Sequence, residues 1–161
     1  MDQIALVRLS EERKAWRKNH PYVSGFEAKP VKNSDGTFNL MIWDCSIPGK
    51  SGTLWENGHF KLKIHFNNGY PLQPPVCQFT PPIFHPNIWT DGKVCLSILN
   101  PEKGWRSSTT VREILIGIQD LLNEPNIYDP ANLFAYEAYV KNKQAYEKQI
   151  IEQARKFKAN Y

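Results

Sequence analysis

No hydrophobic run in the chain approaches the roughly 18 residues that a membrane-crossing helix needs. The start, MDQIALVRLSEERKAWRK, carries too much charge for a secretory leader. Both absences predict a protein that stays inside the cell and off the membrane. Cysteine is scarce, with three in 161 residues, at positions 45, 77 and 95. An odd count without a CxxC pair argues against a disulfide framework and against a zinc site, so no metal is expected. GxxxxGK is absent too, which removes the common phosphate-binding loop. No repeat, low-complexity tract or linker interrupts the chain, and 1–161 reads as one domain, long enough for a real core. Excess charge of one sign is small. A net +4 suits an acidic protein surface as readily as nucleic acid.

What is present is ordinary for a globular fold: 41% hydrophobic and 22% charged residues. Residues 3–19 read as a helix with Ile4, Ala5, Leu9 and Trp16 roughly on one side, ended by His20-Pro21. That helix is basic: Arg8, Arg13, Lys14, Arg17 and Lys18 outnumber Glu11 and Glu12. NSDGT (33–37) places an Asp-Gly turn between two extended runs, a strong hairpin signal. HFKLKIHF (59–66) alternates strictly, as a half-buried antiparallel strand does, and VCQF (76–79) reads as a short fourth strand. Residues 80–108 are rich in turn formers and lack periodicity; a loop this long in a compact domain is usually functional. Thr110 and Glu113 fit a capping box ahead of the stripe Ile114, Leu115, Ile118, Leu121 and Leu122, and Pro125 closes that helix. A further helix is predicted after Pro130 with Asp129 as its cap, and a last one over about 143–158. Helix, strands, loop, helices is an α+β order, with helices packed on a four-stranded antiparallel sheet.

Cys45 and Cys77 lie in strand-like runs and read as small core hydrophobes. Cys95 stands in HPNIWTDGKVCLSIL (85–99), among turn residues, where a reactive thiol has access; on the residues alone it is either a nucleophile or an idle thiol. His85, ten residues upstream, is either its partner or a ring that hydrogen-bonds the turn backbone.

HPN at 85–87, Gly92, VCLSIL at 94–99, Trp105, the turn YPLQPP (70–75), NEPN (123–126) and DPA (129–131) together resemble the ubiquitin-conjugating enzyme family, over nearly the whole chain. ERKAWRK (12–18), IPGKSGTLWENG (47–58), NPEKGW (100–105) and ILIGIQDLLNEPN (114–126) resemble its SUMO-conjugating branch. The resemblance implies the UBC fold and a monomeric enzyme of nucleus and cytoplasm. Cys95 would take SUMO from an activating enzyme as a thioester and pass it to a lysine of a substrate protein, with SUMO ligases as further partners. ATP is consumed by the activating enzyme, so this chain needs no cofactor.

The resemblance also implies roles for particular residues. Asp129 would orient the acceptor amine and lower its pKa, a role compatible with capping a helix. Asn87 would donate to the oxyanion, although an Asn at this position also stabilises its own turn. His85 would be structural. Trp89, Asp91, Lys93, Pro130 and Leu133 would line the acceptor site. Arg13, Lys14, Arg17 and His20 would meet the activating enzyme and a second, noncovalent SUMO; Arg13 and Arg17 are one helical turn apart. The chain departs from the branch at Val76, where a lysine that holds the acceptor's glutamate is usual. Asp91 and Lys93 replace small residues, Trp89 replaces tyrosine, and Glu27 replaces an apolar residue near the noncovalent SUMO site. The rival readings are a conjugating enzyme for ubiquitin or another ubiquitin-like modifier, and an inactive binding scaffold. A nucleic-acid binder ranks last, because most aromatics lie on core faces or in turns rather than interleaved with Lys and Arg.

Overall fold

The computed structural model describes residues 3–19 and 25–158. Helix α1 (Gln3–Asn19) is followed by four strands, β1 (Glu27–Lys32), β2 (Phe38–Pro48), β3 (His59–His65) and β4 (Val76–Phe79). A single 3-10 turn (Ser97–Leu99) interrupts the long loop, and α2 (Val111–Asn123), α3 (Leu133–Lys141) and α4 (Lys143–Lys156) complete an α+β architecture. The strands form one antiparallel meander in the order β1-β2-β3-β4.

The strand alternation works as the sequence implies. Phe60, Leu62, Ile64 and Phe66 point inward while Lys61 is exposed and Lys63 half-buried. The inward face meets Trp43, Cys45, Ile47, Cys77 and Phe79 from neighbouring strands, and the α2 stripe covers them. Burying each such large apolar side chain contributes roughly 1.5–3 kcal/mol. Gly36, at φ +90°, turns the β1–β2 hairpin, and Asp35 Oδ1 accepts from Thr37 N and Oγ1. Thr110 caps α2 by accepting from Glu113 N at 3.1 Å.

Two local expectations are corrected by tertiary contacts. On α1 the buried residues are Ala5, Leu9, Glu12 and Trp16, whereas Ile4 is 68% exposed. Glu12 is buried for a purpose: its Oε1 accepts from Val111 N at 2.8 Å, satisfying a free amide at the start of α2, while Arg8 Nε balances it at 3.1 Å. Arg8 also donates to Ser107 O and Thr109 O, so it belongs to this internal network and not to a basic surface.

The second correction concerns α3, which follows Pro130 but does not start at it and is not capped by Asp129. It begins at Leu133, and Asn132 Oδ1 accepts from Ala135 N at 3.1 Å. Ala131 N and Asn132 N are drawn instead to Pro86 O, at 2.8 and 3.1 Å. That contact keeps 129–132 out of the helix, which starts only beyond it.

Candidate active site

The free edge of β4 is where the fold sets up the site. Residues 92–94 run antiparallel along it: Phe79 N donates to Gly92 O at 2.8 Å and Val94 N to Cys77 O at 3.0 Å. Gly92 is required on two counts. Its φ is +94°, and a Cβ there would lie 2.2 Å from Phe79 O. One residue past Val94 the chain leaves the sheet, and Cys95 is delivered half-buried at its rim, with its N–H donating to Asn87 O at 2.9 Å. Cys45 and Cys77 are fully internal, and burial pushes both thiols up, Cys77 to about 12. Cys95 is therefore the accessible thiol among the three.

The HPN tripeptide is the clamp beneath it. His85 is buried: its Nδ1 accepts from Asn87 N at 2.9 Å and its Nε2 lies 2.7 Å from Leu121 O. That pattern fixes the proton on Nε2. Burial depresses the ring's pKa to about 4, so it stays neutral near pH 7 and has no nitrogen free for Cys95. The ring ties the turn at 85–87 to the end of α2.

Asn87, also buried, uses its whole carboxamide on the loop opposite. Nδ2 donates to Asn126 O at 2.8 Å and to Asp129 O at 2.9 Å, and Oδ1 accepts from Asn126 N at 2.8 Å. With both Nδ2 hydrogens committed, Asn87 reaches an oxyanion only by releasing a carbonyl. What the structure shows directly is that it positions the backbone of Asp129.

Asp129 stands beside the thiol: its carbonyl oxygen is 4.0 Å from Cys95 Sγ and its Oδ2 is 2.9 Å from Lys103 Nζ. Burial holds the Cys95 thiol above its ordinary value; the Asp129 carboxylate adds to that, and the Lys103 ammonium opposes it. The site thus holds its thiol mostly protonated at rest, unlike a protease cysteine activated by an imidazolium. A cleft of about 250 Å³ opens next to Cys95, lined by Leu96, Gly117, Asp120, Leu121, Asn126 and Asp129 among others.

The residues expected to line the acceptor site are mostly exposed, and none of them lines the cleft beside Cys95. Trp89 is 49% exposed, Lys93 and Pro130 are exposed, and Leu133 is 65% exposed. Asp91 and Lys93 face each other across Gly92, with Asp91 Oδ1 accepting from Lys93 N at 3.0 Å and the ammonium 3.8 Å from Oδ2. On α1, far along the chain from the thiol, Lys14 and Arg17 are exposed and Arg13 lays its guanidinium 4.2 Å from the centroid of Phe38. His20 lies outside the described residues. The sequence reading missed Lys103, Asn126 and Asn132. Each is an ordinary loop residue by type, and only the folded loops reveal its partner. Among the described residues no group of three or more His, Cys, Asp or Glu side chains is placed to hold a metal ion.

A half-buried thiol at a sheet rim, with His85 sealed away from it, does not make the cysteine–histidine pair of a hydrolase. The family model for ubiquitin-conjugating enzyme matches residues 8–154, and the chain belongs to that family. It is 52% identical to SUMO-conjugating enzyme UBC9 of Caenorhabditis elegans, covering 99% of this chain and 95% of that one. It is also 52% identical to SUMO-conjugating enzyme SCE1 of Arabidopsis thaliana, over 97% and 96% of the two chains. To Sumo-conjugating enzyme ubc9 of Dictyostelium discoideum it is 47% identical, over 96% of each.

Proposed function

We infer that this chain is a SUMO-conjugating enzyme, a transferase that carries SUMO on Cys95. The observation that carries the reading is the accessible thiol between two hydrogen-bonded loops, in a chain about half identical to proteins of that name over nearly its full length. In loading, Cys95 gives its proton to solvent and the thiolate attacks the thioester on the activating enzyme; a new C–S bond forms, the old one breaks, and the activating enzyme's cysteine leaves as a thiolate that takes a proton back from solvent. One thioester replaces another, so the exchange needs no energy input here, and the chain requires no cofactor.

In discharge, a neutral lysine amine attacks the thioester carbon. The C–N bond forms, the C–S bond breaks, and the thiolate of Cys95 leaves while the ammonium proton passes to solvent. An unperturbed lysine has a pKa of about 10.4, so most of it is protonated at pH 7. Asp129 receives the arriving side chain and aligns it; shedding water in the groove then favours the neutral amine. His85 takes no part in moving the proton. Trp89, Pro130 and Leu133 supply apolar contacts to the acceptor segment.

Val76, 45% exposed, offers no charge to an acidic acceptor residue, and Lys93 takes over that attraction. Because Asp91 already sits 3.8 Å from it, the gain is small. Lys93→Ala is expected to lower discharge to a peptide with glutamate two residues past the lysine about two- to fivefold relative to its alanine counterpart. Equal rates for the two peptides in wild type and variant alike would exclude the role.

Lys14 and Arg17, with Arg13 beside them, form the face for the activating enzyme and for a noncovalent SUMO, the latter weakened by exposed Glu27. SUMO ligases and lysine-bearing substrates complete the partners, for an enzyme working as a monomer in nucleus and cytoplasm.

A charging assay on non-reducing gels tests the reading. With ATP, SUMO-activating enzyme and SUMO, a thiol-sensitive adduct is expected; with ubiquitin and its own activating enzyme, none. An adduct with ubiquitin alone, or no adduct from folded protein, overturns it.

A further inference from the structure

The carboxylate assigned above to the incoming lysine already holds an ammonium of the chain itself: Lys103 Nζ lies 2.9 Å from Asp129 Oδ2. Among the described residues neither side chain makes another ion pair.

Lys103 is presented by a built turn. Lys103 N and Trp105 N both donate to Asn100 O at 3.1 Å, Glu102 N donates to Asn100 Oδ1 at 2.8 Å, and Gly104 N to Ser97 O at 3.0 Å. Buried Trp105 anchors the turn through Nε1 to Pro71 O at 3.0 Å. Opposite, Asn87 fixes the backbone of Asp129. Two braced loops therefore face each other next to Cys95, joined by one ion pair whose side chains are each about half exposed. The thiol feels both charges, the carboxylate raising it and the ammonium lowering it.

Resting on the reading of this chain as an enzyme that modifies lysines, we propose that Lys103 is a specificity-determining residue that occupies the acceptor's place on Asp129 until an acceptor lysine displaces it. Docking exchanges one ammonium for another on the same carboxylate, so charge is conserved in that step, and the docked acceptor then gives a proton to solvent before it attacks as the neutral amine. Before loading, Lys103 offsets the carboxylate that opposes thiolate formation on Cys95. After loading, it competes with the acceptor. An acceptor well above its half-saturating concentration loses nothing to that competition, whereas a lone amine far below it loses the full factor. The ion pair thus holds back discharge to casual amines more than to docked substrates.

The test is single-turnover discharge of the preformed Cys95 thioester. Lys103→Met keeps the aliphatic stem and removes the charge. Discharge to free lysine is expected to accelerate about two- to fivefold, the range that partly exposed ion pairs span. The half-saturating concentration of a lysine-bearing acceptor peptide is expected to fall by a similar factor, moving more than the plateau rate does. Lys103→Arg should behave like wild type, and in an Asp129→Asn background Lys103→Met should add nothing. Unchanged or slower discharge to free lysine in Lys103→Met overturns the proposal, as does a plateau that drops tenfold. A thioester that forms and discharges regardless of Lys103 sinks this proposal alone. Failure of the wild-type chain to charge removes the reading beneath it as well.

Discussion

Replacing Cys95 by serine turns the charged species from thiol-sensitive to thiol-resistant and lowers transfer to lysine on the order of 10³-fold or more. The serine oxygen sits at the same rim, with the same backbone donor to Asn87 O, so an ester can still form slowly. What changes is the bond to be broken. A thiolate is a far better leaving group than an alkoxide, and a site without a general acid cannot compensate. His85 is unable to fill that place, because its ring is buried, neutral, and bonded at both nitrogens. Cys45→Ser and Cys77→Ser are the controls, expected to lower stability and leave the adduct thiol-sensitive, since both thiols are buried in the sheet. Non-reducing gels with and without added thiol read the result. An adduct on Cys95→Ser that thiol still cleaves would place the thioester elsewhere.

Asn87→Ala is expected to lose about 2–4 kcal/mol of stability and to slow discharge on the order of 10²-fold. The stability loss follows from three hydrogen bonds that vanish together, two to the backbone of Asn126 and one to Asp129 O. Asn126 is exposed enough for water to recover part of that, which keeps the figure below a full orphaning of three buried groups. The melting temperature should fall by about 5–15 °C in a chain of this size. The rate loss follows from geometry: with its clamp removed, the 126–129 segment drifts, and a displacement near 1 Å suffices for such a drop. Calorimetry and single-turnover discharge separate the two roles of Asn87. A large rate loss with no change in melting temperature would make it a direct donor to the oxyanion and overturn the clamp.

Much of the architecture was legible from residue types alone. The strict alternation of 59–66, the Asp-Gly turn at 35–36 and the stripe on α2 each encode a local periodicity that any packing partner would respect. Cys95 stood out for a similar reason: it is the one cysteine in a setting of turn residues, and the motifs around it resembled a known family. Asp129 shows the limit. Asp followed by Pro is a good helix start by local chemistry, yet Pro86 O captures the amides of Ala131 and Asn132, and the helix waits for Asn132 to cap it. Glu12 shows it again, since its charge belongs on a surface by type and is buried only because α2 offers it a free amide and Arg8 offers it a cation.

The strands, the layer order, the inward faces of β3 and α2, and the one thiol set among turn residues could be read from residue order, because these depend on neighbours within a turn or a strand pair. It took the folded loops to seal His85, to turn Asn87 into a clamp, and to seat Lys103 on the carboxylate of Asp129. Those facts join residues 26 to 42 positions apart. Contacts at that separation depend on how whole loops are folded against one another, which no periodicity records.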